Sequence, residues 1–174
     1  MVKRYYPINF DIDGKKCLVV GGGTVAERKV GTLIEFGARV VVIAPHLTGK
    51  LKELTRSKKI VTRLKKYSSR DLRQAVLVIG ATSDRALNKR IARDAAQQNV
   101  LVNIVDDPEL CSFIVPSKIK RGPLVVAIST SGLAPALAKA LRIKLEKIIT
   151  PELGRLTNEL GKIRRAGKKK FAAA

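Results

Sequence analysis

Short unbroken apolar runs alternate with helical patterns through the first two thirds of the chain. Cys17-Leu18-Val19-Val20 stops at Gly21-Gly22-Gly23, Val40-Val41-Val42-Ile43 stops before Pro45, and Val76-Leu77-Val78-Ile79 closes on Gly80-Ala81-Thr82. Residues 60–64 and 100–105 complete five predicted strands. Runs without polar alternation suit strands buried on both faces of a parallel sheet. Between them, Val25, Ala26, Val30, Leu33 and Ile34 recur at helical spacing as far as Gly37. A short polar helix is predicted over 47–58 and a helical turn over 69–74. Leu87, Ile91 and Ala95 share one face of a helix over 84–98, with Ser83 as its predicted N-cap. Repeated strand, helix, strand units require right-handed crossovers, so the predicted fold is α/β, a Rossmann-like doubly wound parallel sheet.

The rhythm changes after Asp106-Asp107-Pro108. Strands predicted at 113–116 and 124–128 are joined by the basic, breaker-rich stretch Lys118-Ile119-Lys120-Arg121-Gly122-Pro123, which implies an antiparallel pair. Pro135 opens a helix over 136–149, and a second helix runs from Pro151 to about Arg165. The division expected is a Rossmann-like domain at 1–111, a small strand-plus-helix dimerisation segment at 112–167, and a frayed basic tail at 168–174. Leu137, Leu141, Leu145 and Ile148 form one apolar stripe, which fits either a subunit contact or a helix folded back on its own chain.

Composition narrows the classes. The 174 residues carry 35 Lys plus Arg against 14 Asp plus Glu, a formal net charge of +21, with 45% apolar residues and 4% aromatic. That apolar share supports a true core and excludes a disordered basic tail as the whole protein. No apolar run reaches the roughly 18 residues needed to cross a bilayer, and no signal h-region is present, so a soluble cytoplasmic protein is expected. The positive charge suits a nucleic acid, an anionic membrane surface or a small polyanionic metabolite equally, or merely a solvated surface. Cys17 and Cys111 lie far apart in apolar runs and read as buried thiols, and the single histidine, His46, gives no basis for a metal site.

The strongest local chemistry is Gly21-x-Gly23-x-x-Ala26 between a buried strand and an amphipathic helix. Gly21 permits the tight turn, Gly23 admits a pyrophosphate to the backbone, and Ala26 lets helix and strand pack closely. The N–H groups and dipole of the first helical turn hold phosphates. The acid expected about 20 residues on, to bind a ribose, is missing. The second strand ends Ile43-Ala44-Pro45-His46, leaving backbone groups, His46 or Thr24 to meet the ribose. Ligands in such sheets sit beyond the carboxyl ends of the strands, where Thr24, Thr82 and Asn103 through Asp107 fall. Asp106 is the candidate base for a proton lost while hydride leaves to a nicotinamide, although an Asp pair before Pro108 is also a common turn initiator. Ser129, Thr130 and Ser131 before the long helix suit an anion pocket or plain N-capping.

Tyr6-Pro7-Ile8 and Gly21-Gly22-Gly23-Thr24-Val25-Ala26-Glu27-Arg28-Lys29 resemble the opening of the siroheme synthase dehydrogenase domain. Val102-Asn103-Ile104-Val105-Asp106-Asp107-Pro108, Ser112-Phe113-Ile114-Val115-Pro116-Ser117 and Ala127-Ile128-Ser129-Thr130-Ser131-Gly132 follow in that family's order, over roughly residues 5–150. The resemblance implies a precorrin-2 dehydrogenase: NAD-dependent oxidation of precorrin-2 to sirohydrochlorin for siroheme or haem, in a homodimer. It implies NAD contacts at Thr24, Val25, Pro45 and His46, beside Gly21, Gly22, Gly23, Thr82 and Asn103 expected from the glycine turn and the strand ends, and a catalytic aspartate at Asp106. Thr130 stands where some members carry a phosphorylated serine. A polycarboxylate tetrapyrrole also accounts for the charge, with Arg28, Lys118, Lys120, Arg121, Ser129, Thr130 and Ser131 as its expected contacts. Some members insert ferrous iron as well; that second activity stays open here, with the dehydrogenase alone as the preferred reading. With few aromatics to stack bases, nucleic acid is the weaker partner. The alternative from another class is a nucleotide-sensing regulatory module without catalysis.

Overall fold

A computed structural model describes residues 3–171, and its side chains are described as far as residue 167. Two compact units emerge: Tyr5–Ile114, and residues 115–171 together with Lys3 and Arg4. The first unit holds β1 (Lys16–Val20), α1 (Thr24–Glu35), β2 (Arg39–Ile43), α2 (Gly49–Arg56), β3 (Val61–Arg63), β4 (Ala75–Gly80), α3 (Arg85–Gln97) and β5 (Leu101–Ile104). All five strands are parallel in the order β3-β2-β1-β4-β5. The chain winds outward through β2 and β3, then returns past β1 to β4 and β5. The reversal lies between β1 and β4, where a doubly wound sheet opens a crevice.

Pleating sends alternate side chains of each run to opposite layers. Cys17, Val19, Val40 and Val42 meet Ala26, Val30 and Leu33 of α1 and Leu51 of α2. Leu18, Val20, Val78, Val102 and Ile104 meet Ile91 and Ala95 of α3. Each such fully buried branched side chain contributes about 1.5–3 kcal/mol. Burial also pushes the Cys17 thiol up to about 11, so it stays an inert thiol in the core. The N-cap of α3 is Asp84, whose carboxylate accepts from the Leu87 N–H at 3.0 Å, rather than the expected Ser83.

The crossover from β3 to β4 is fixed by a buried carboxylate. Asp71 is 2% exposed and accepts from Lys65 Nζ (2.8 Å), the Ser68 N–H (2.9 Å) and Arg63 Nη1 (3.3 Å). Burial alone would raise its pKa, but the bonds from Lys65 and Ser68 and the charges of Lys65 and Arg63 together hold it below the usual range. A carboxyl depressed on folding stabilises the protein above its unfolded value of about 3.9 and ceases to do so as pH falls through the folded value. We therefore expect Asp71→Asn to cost about 2–4 kcal/mol in denaturant unfolding at neutral pH, and the difference from the parent to shrink below about pH 4. An unchanged midpoint at neutral pH would show the carboxylate to be dispensable.

The first unit reaches beyond the Cys111 boundary expected from sequence because residues 112–113 bond back to β5. Val102 accepts from the N–H groups of Ser112 (2.8 Å) and Phe113 (3.5 Å). The predicted strand at 113–116 is thereby corrected: Phe113 is tied to β5, and Pro116 has no N–H to donate to a ladder. The second unit instead pairs β6 (Ser117–Arg121), expected as a turn, with the expected strand β7 (Leu124–Ile128), antiparallel around a two-residue loop in which Gly122 takes φ +59°. Then come α4 (Pro135–Glu146) and α5 (Pro151–Phe171). Helix α5 carries through 168–171, which corrects the frayed tail expected there; residues 172–174 lie outside the described residues. Among the described residues no helix is long and apolar enough to cross a membrane.

Candidate functional site

A cleft of about 1170 Å³ opens at the carboxyl ends of the strands, at the reversal between β1 and β4. Its floor is the turn leaving β1. Gly21 takes φ +128°, and a Cβ there would stand 2.8 Å from the Ala81 carbonyl carbon, so both backbone freedom and close approach demand glycine. Gly22 seats the loop after β2: its carbonyl accepts from the Thr48 N–H at 3.0 Å, and a Cβ would press against Ala44 at 2.9 Å. Gly23 differs, since a Cβ there would meet nothing within 4 Å. It is the N-cap of α1 and supplies no side-chain acceptor. The N–H groups at the start of the first turn have no partner within their helix, and Thr24 and Val25 line the cleft. An uncapped helix end beside open space is a cradle for an anion of phosphate size, so these residues fit a dinucleotide's pyrophosphate.

Pro45 and His46, at the end of β2, line the cleft beside this turn, and no acid stands among them. Lys65, Lys66 and Tyr67 reach the same wall from the crossover after β3. Tyr67 donates to Asp94 Oδ2 at 3.3 Å under the guanidinium of Arg90, 5.7 Å from the ring centroid. Burial, then the Asp94 charge and bond, push its pKa up, so it remains a neutral phenol. On the opposite side Thr82 is held by a buried helix residue. Its hydroxyl donates to Asn88 Oδ1 at 2.9 Å, and Asn88 Nδ2 donates back to the Thr82 carbonyl at 3.0 Å. The Thr82 hydroxyl therefore has only acceptor capacity left for a ligand.

Asp106 lines the cleft from the turn after β5. Its φ of +60° is uncommon for a residue with a Cβ but accessible to Asp. The turn is tied down by Cys111, whose thiol faces the Asp107 carbonyl at 3.3 Å and accepts from the Ile104 N–H at 3.1 Å. Lys29, half-buried on α1, feels the Asp106 charge. Burial first and Arg28 second lower its ammonium pKa, and the Asp106 carboxylate opposes them.

The sequence-derived residues divide cleanly. Gly21, Gly22, Gly23, Thr24, Val25, Pro45, His46, Thr82 and Asp106 are brought together in the cleft. Asn103 is not, and that expectation is corrected: it is 8% exposed and its amide donates to the Phe113 carbonyl at 3.1 Å, inside the protein. Arg28 is exposed on α1 and does not line the cleft. Lys118, Lys120, Arg121, Ser129, Thr130 and Ser131 belong to the second unit. There Arg121 is committed to the Ile149 carbonyl at 3.1 Å. The Ser129 and Thr130 hydroxyls accept from the N–H groups of Ser131 and Ala134, both at 3.0 Å, so the segment before α4 is braced by its own side chains, and Ser131 takes φ +54°. The sequence reading missed Lys65, Lys66, Tyr67, Asn88 and Arg90. They carry no motif: Lys65, Lys66, Tyr67 and Arg90 line the cleft from the stretch after β3 and from α3, and Asn88 reaches it through Thr82.

Comparison with known proteins agrees with this fold. A family model described as putative NAD(P)-binding covers residues 8–117, and one described as sirohaem biosynthesis protein central covers residues 121–148. The siroheme synthase of Nitrosococcus oceani is 46% identical over 153 residues, which is 88% of this chain and 33% of that protein. The siroheme synthase of Vesicomyosocius okutanii is 40% identical over 169 residues, 97% of this chain and 36% of the relative. The chain thus spans about a third of the length of these curated relatives. Among solved structures, SirC, a precorrin-2 dehydrogenase, aligns with a TM-score of 0.77 at 29% identity, covering 92% of this chain and 79% of that one.

Proposed function

The chain belongs to the NAD(P)-binding family of siroheme synthases and precorrin-2 dehydrogenases, and we propose that it oxidises precorrin-2 to sirohydrochlorin with NAD as the hydride acceptor. The observation that carries the reading is one cleft holding both the open Gly23 cradle at the start of α1 and the carboxylate of Asp106. The chemistry that a nicotinamide nucleotide held there would supply is acceptance of a hydride, and the chain's own groups do the rest. The first-turn N–H groups of α1 hold the pyrophosphate, and the packing of Gly22 against the loop after β2 sets the wall beside it. Asp106 takes the proton that leaves as the ring system becomes more conjugated, so hydride and proton together account for the two hydrogens lost. The turn bonded to Cys111 holds that carboxylate in place while substrate enters.

Lys118, Lys120 and the rest of the basic surface serve to concentrate the polycarboxylate substrate, an effect that weakens with salt. The exposed Leu137 and Leu141 of α4, Ile148 just after it, and Leu156, Leu160 and Ile163 of α5 fit burial by a second copy in a homodimer. An acid among the lining residues of the cleft supports turnover over a module that only senses nucleotide.

The test is an anaerobic assay of purified protein with precorrin-2 and NAD, followed by absorbance and by light scattering on the same preparation. Sirohydrochlorin formed in step with NADH, by a particle of twice the chain mass, is the expected result. Nucleotide binding without any turnover would sink the enzymatic reading and favour a sensing module. An arm with ferrous iron reports whether the product goes on to siroheme in the same protein.

A further inference from the structure

On the crossover from β3 to β4 lies a second recess, of about 380 Å³, lined by Ser69, Arg70, Arg73 and Gln98. It shares no lining residue with the cleft. It sits toward the amino edge of the sheet, since Arg73 stands just before β4 and Gln98 closes α3 ahead of β5. With a net charge of +21, cations alone single out no part of this surface. What singles out the recess is that its cations have nothing to hold. Arg70 and Arg73 make no hydrogen bond or ion pair through their side chains among the described residues, and no carboxylate lines the recess.

The local backbone explains why. Arg70 lies in the 3-10 turn Ser69–Leu72 and Arg73 follows it; residues three apart in such a turn stack over one another, so the two guanidiniums leave on one side. The nearby acceptors are already taken. The Ser69 carbonyl accepts from Gln98 Nε2 at 3.1 Å, and the Arg70 carbonyl from the Arg73 N–H at 3.3 Å. The Asp71 and Arg73 carbonyls accept from Lys16 Nζ at 2.9 and 2.7 Å. The Asp71 carboxylate is buried and spent on Lys65, Ser68 and Arg63. What the lining still offers is donors: two guanidinium forks, the Ser69 hydroxyl and the second amide hydrogen of Gln98. Lys16, bonded beside them, has its ammonium pKa lowered by burial first and by the charge of Arg63 second, with Asp71 opposing, and an anion would relieve that crowding. We propose that this recess is a second anion site, taking a small doubly charged oxyanion, a phosphate or a dicarboxylate, between the forks of Arg70 and Arg73, with Ser69 and Gln98 completing its donors. Each fork presents parallel N–H groups, which match an acid with several oxygens and not a lone halide.

Inorganic phosphate and succinate test this, titrated separately into the full chain and followed residue by residue by NMR, against sodium chloride at matched ionic strength. The Nε–H signals of Arg70 and Arg73 and the Gln98 side-chain amide are expected to shift saturably, with a Kd on the order of 1 mM, and the tighter probe names the acid group of the ligand. Arg70→Gln and Arg73→Gln are each expected to weaken binding about tenfold, and the double variant to remove saturation at Gln98. Both side chains are exposed and unbonded, so the variants are expected to keep the parent's denaturant midpoint. Any shift that phosphate produces at Thr24, in the cleft, should persist in them, which separates the two places. Shifts that grow with ionic strength and equally with chloride reduce the recess to ordinary charge screening and overturn the proposal. An affinity at Gln98 unchanged in the double variant overturns it as well. The site does not rest on the nucleotide reading, so failure of NAD to bind leaves it standing.

Discussion

Asp106→Asn is expected to lower kcat for precorrin-2 oxidation by about a thousandfold, the middle of the range for loss of a general base, while the Kd for NAD stays within a few-fold. The choice of Asn follows from the backbone. Asp106 sits at φ +60°, where a residue with an ordinary Cβ is strained by about 1–2 kcal/mol, but Asn visits that region readily. Asp106→Ala would mix strain with lost chemistry. Asp106→Gly, which also takes the left-handed conformation, is the matching control. If both variants lose turnover and keep NAD, the carboxylate itself is required. If both turn over at the parent rate, Asp106 serves only the turn, and the proton leaves to solvent. Precorrin-2 saturation separates the roles further: a residue that merely shapes the loop shifts KM, whereas a base used in the transition state shifts kcat.

The fold was legible because parallel strands buried on both faces leave a strong mark. Cys17 to Val20, Val40 to Ile43 and Val76 to Ile79 are unbroken apolar runs, and each falls within a strand of the sheet. The reading failed where apolarity and strand pairing part company. Phe113-Ile114-Val115 looks like a strand, yet its first residue is bonded to β5 and Pro116 follows it. Ser117 to Arg121 looks like a basic turn, yet only Ile119 need face inward for it to pair, and that residue is 1% exposed. Helix α5 ran past its expected end because Lys, Arg and Ala are strong helix formers, whatever their charge.

The site was legible to the extent that one segment carries it. The glycine turn and Asp106 each follow an apolar strand, and position at a strand's carboxyl end is enough to mark them. Asn103 shows the limit of that rule. It occupies β5 itself, so its side chain turns into the protein and meets the Phe113 carbonyl. Asn88 lay beyond reach for the opposite reason: it follows no strand run and meets the cleft only through its bonds to Thr82. Lys66 does follow β3, but no motif there sets it apart from the chain's many other lysines.

Gly23→Val should abolish nucleotide binding and leave the fold standing, with unfolding within about 1 kcal/mol of the parent. The two outcomes separate because a Cβ at Gly23 meets no protein atom within 4 Å, and its backbone, at φ −89° and ψ −174°, is open to any residue. What the added isopropyl group fills is the space where the uncapped N–H groups of α1 open, the volume a pyrophosphate needs. Gly21→Ala is the counterpart. At φ +128°, with the Ala81 carbonyl carbon 2.8 Å from the added Cβ, it must distort the β1 turn and should unfold the protein at lower denaturant. Titration calorimetry and denaturant unfolding on the two variants therefore give opposite patterns: binding lost with stability kept, against stability lost. Retained NAD affinity in Gly23→Val would mean that no phosphate approaches this helix end, and the cofactor geometry built on it would have to be abandoned.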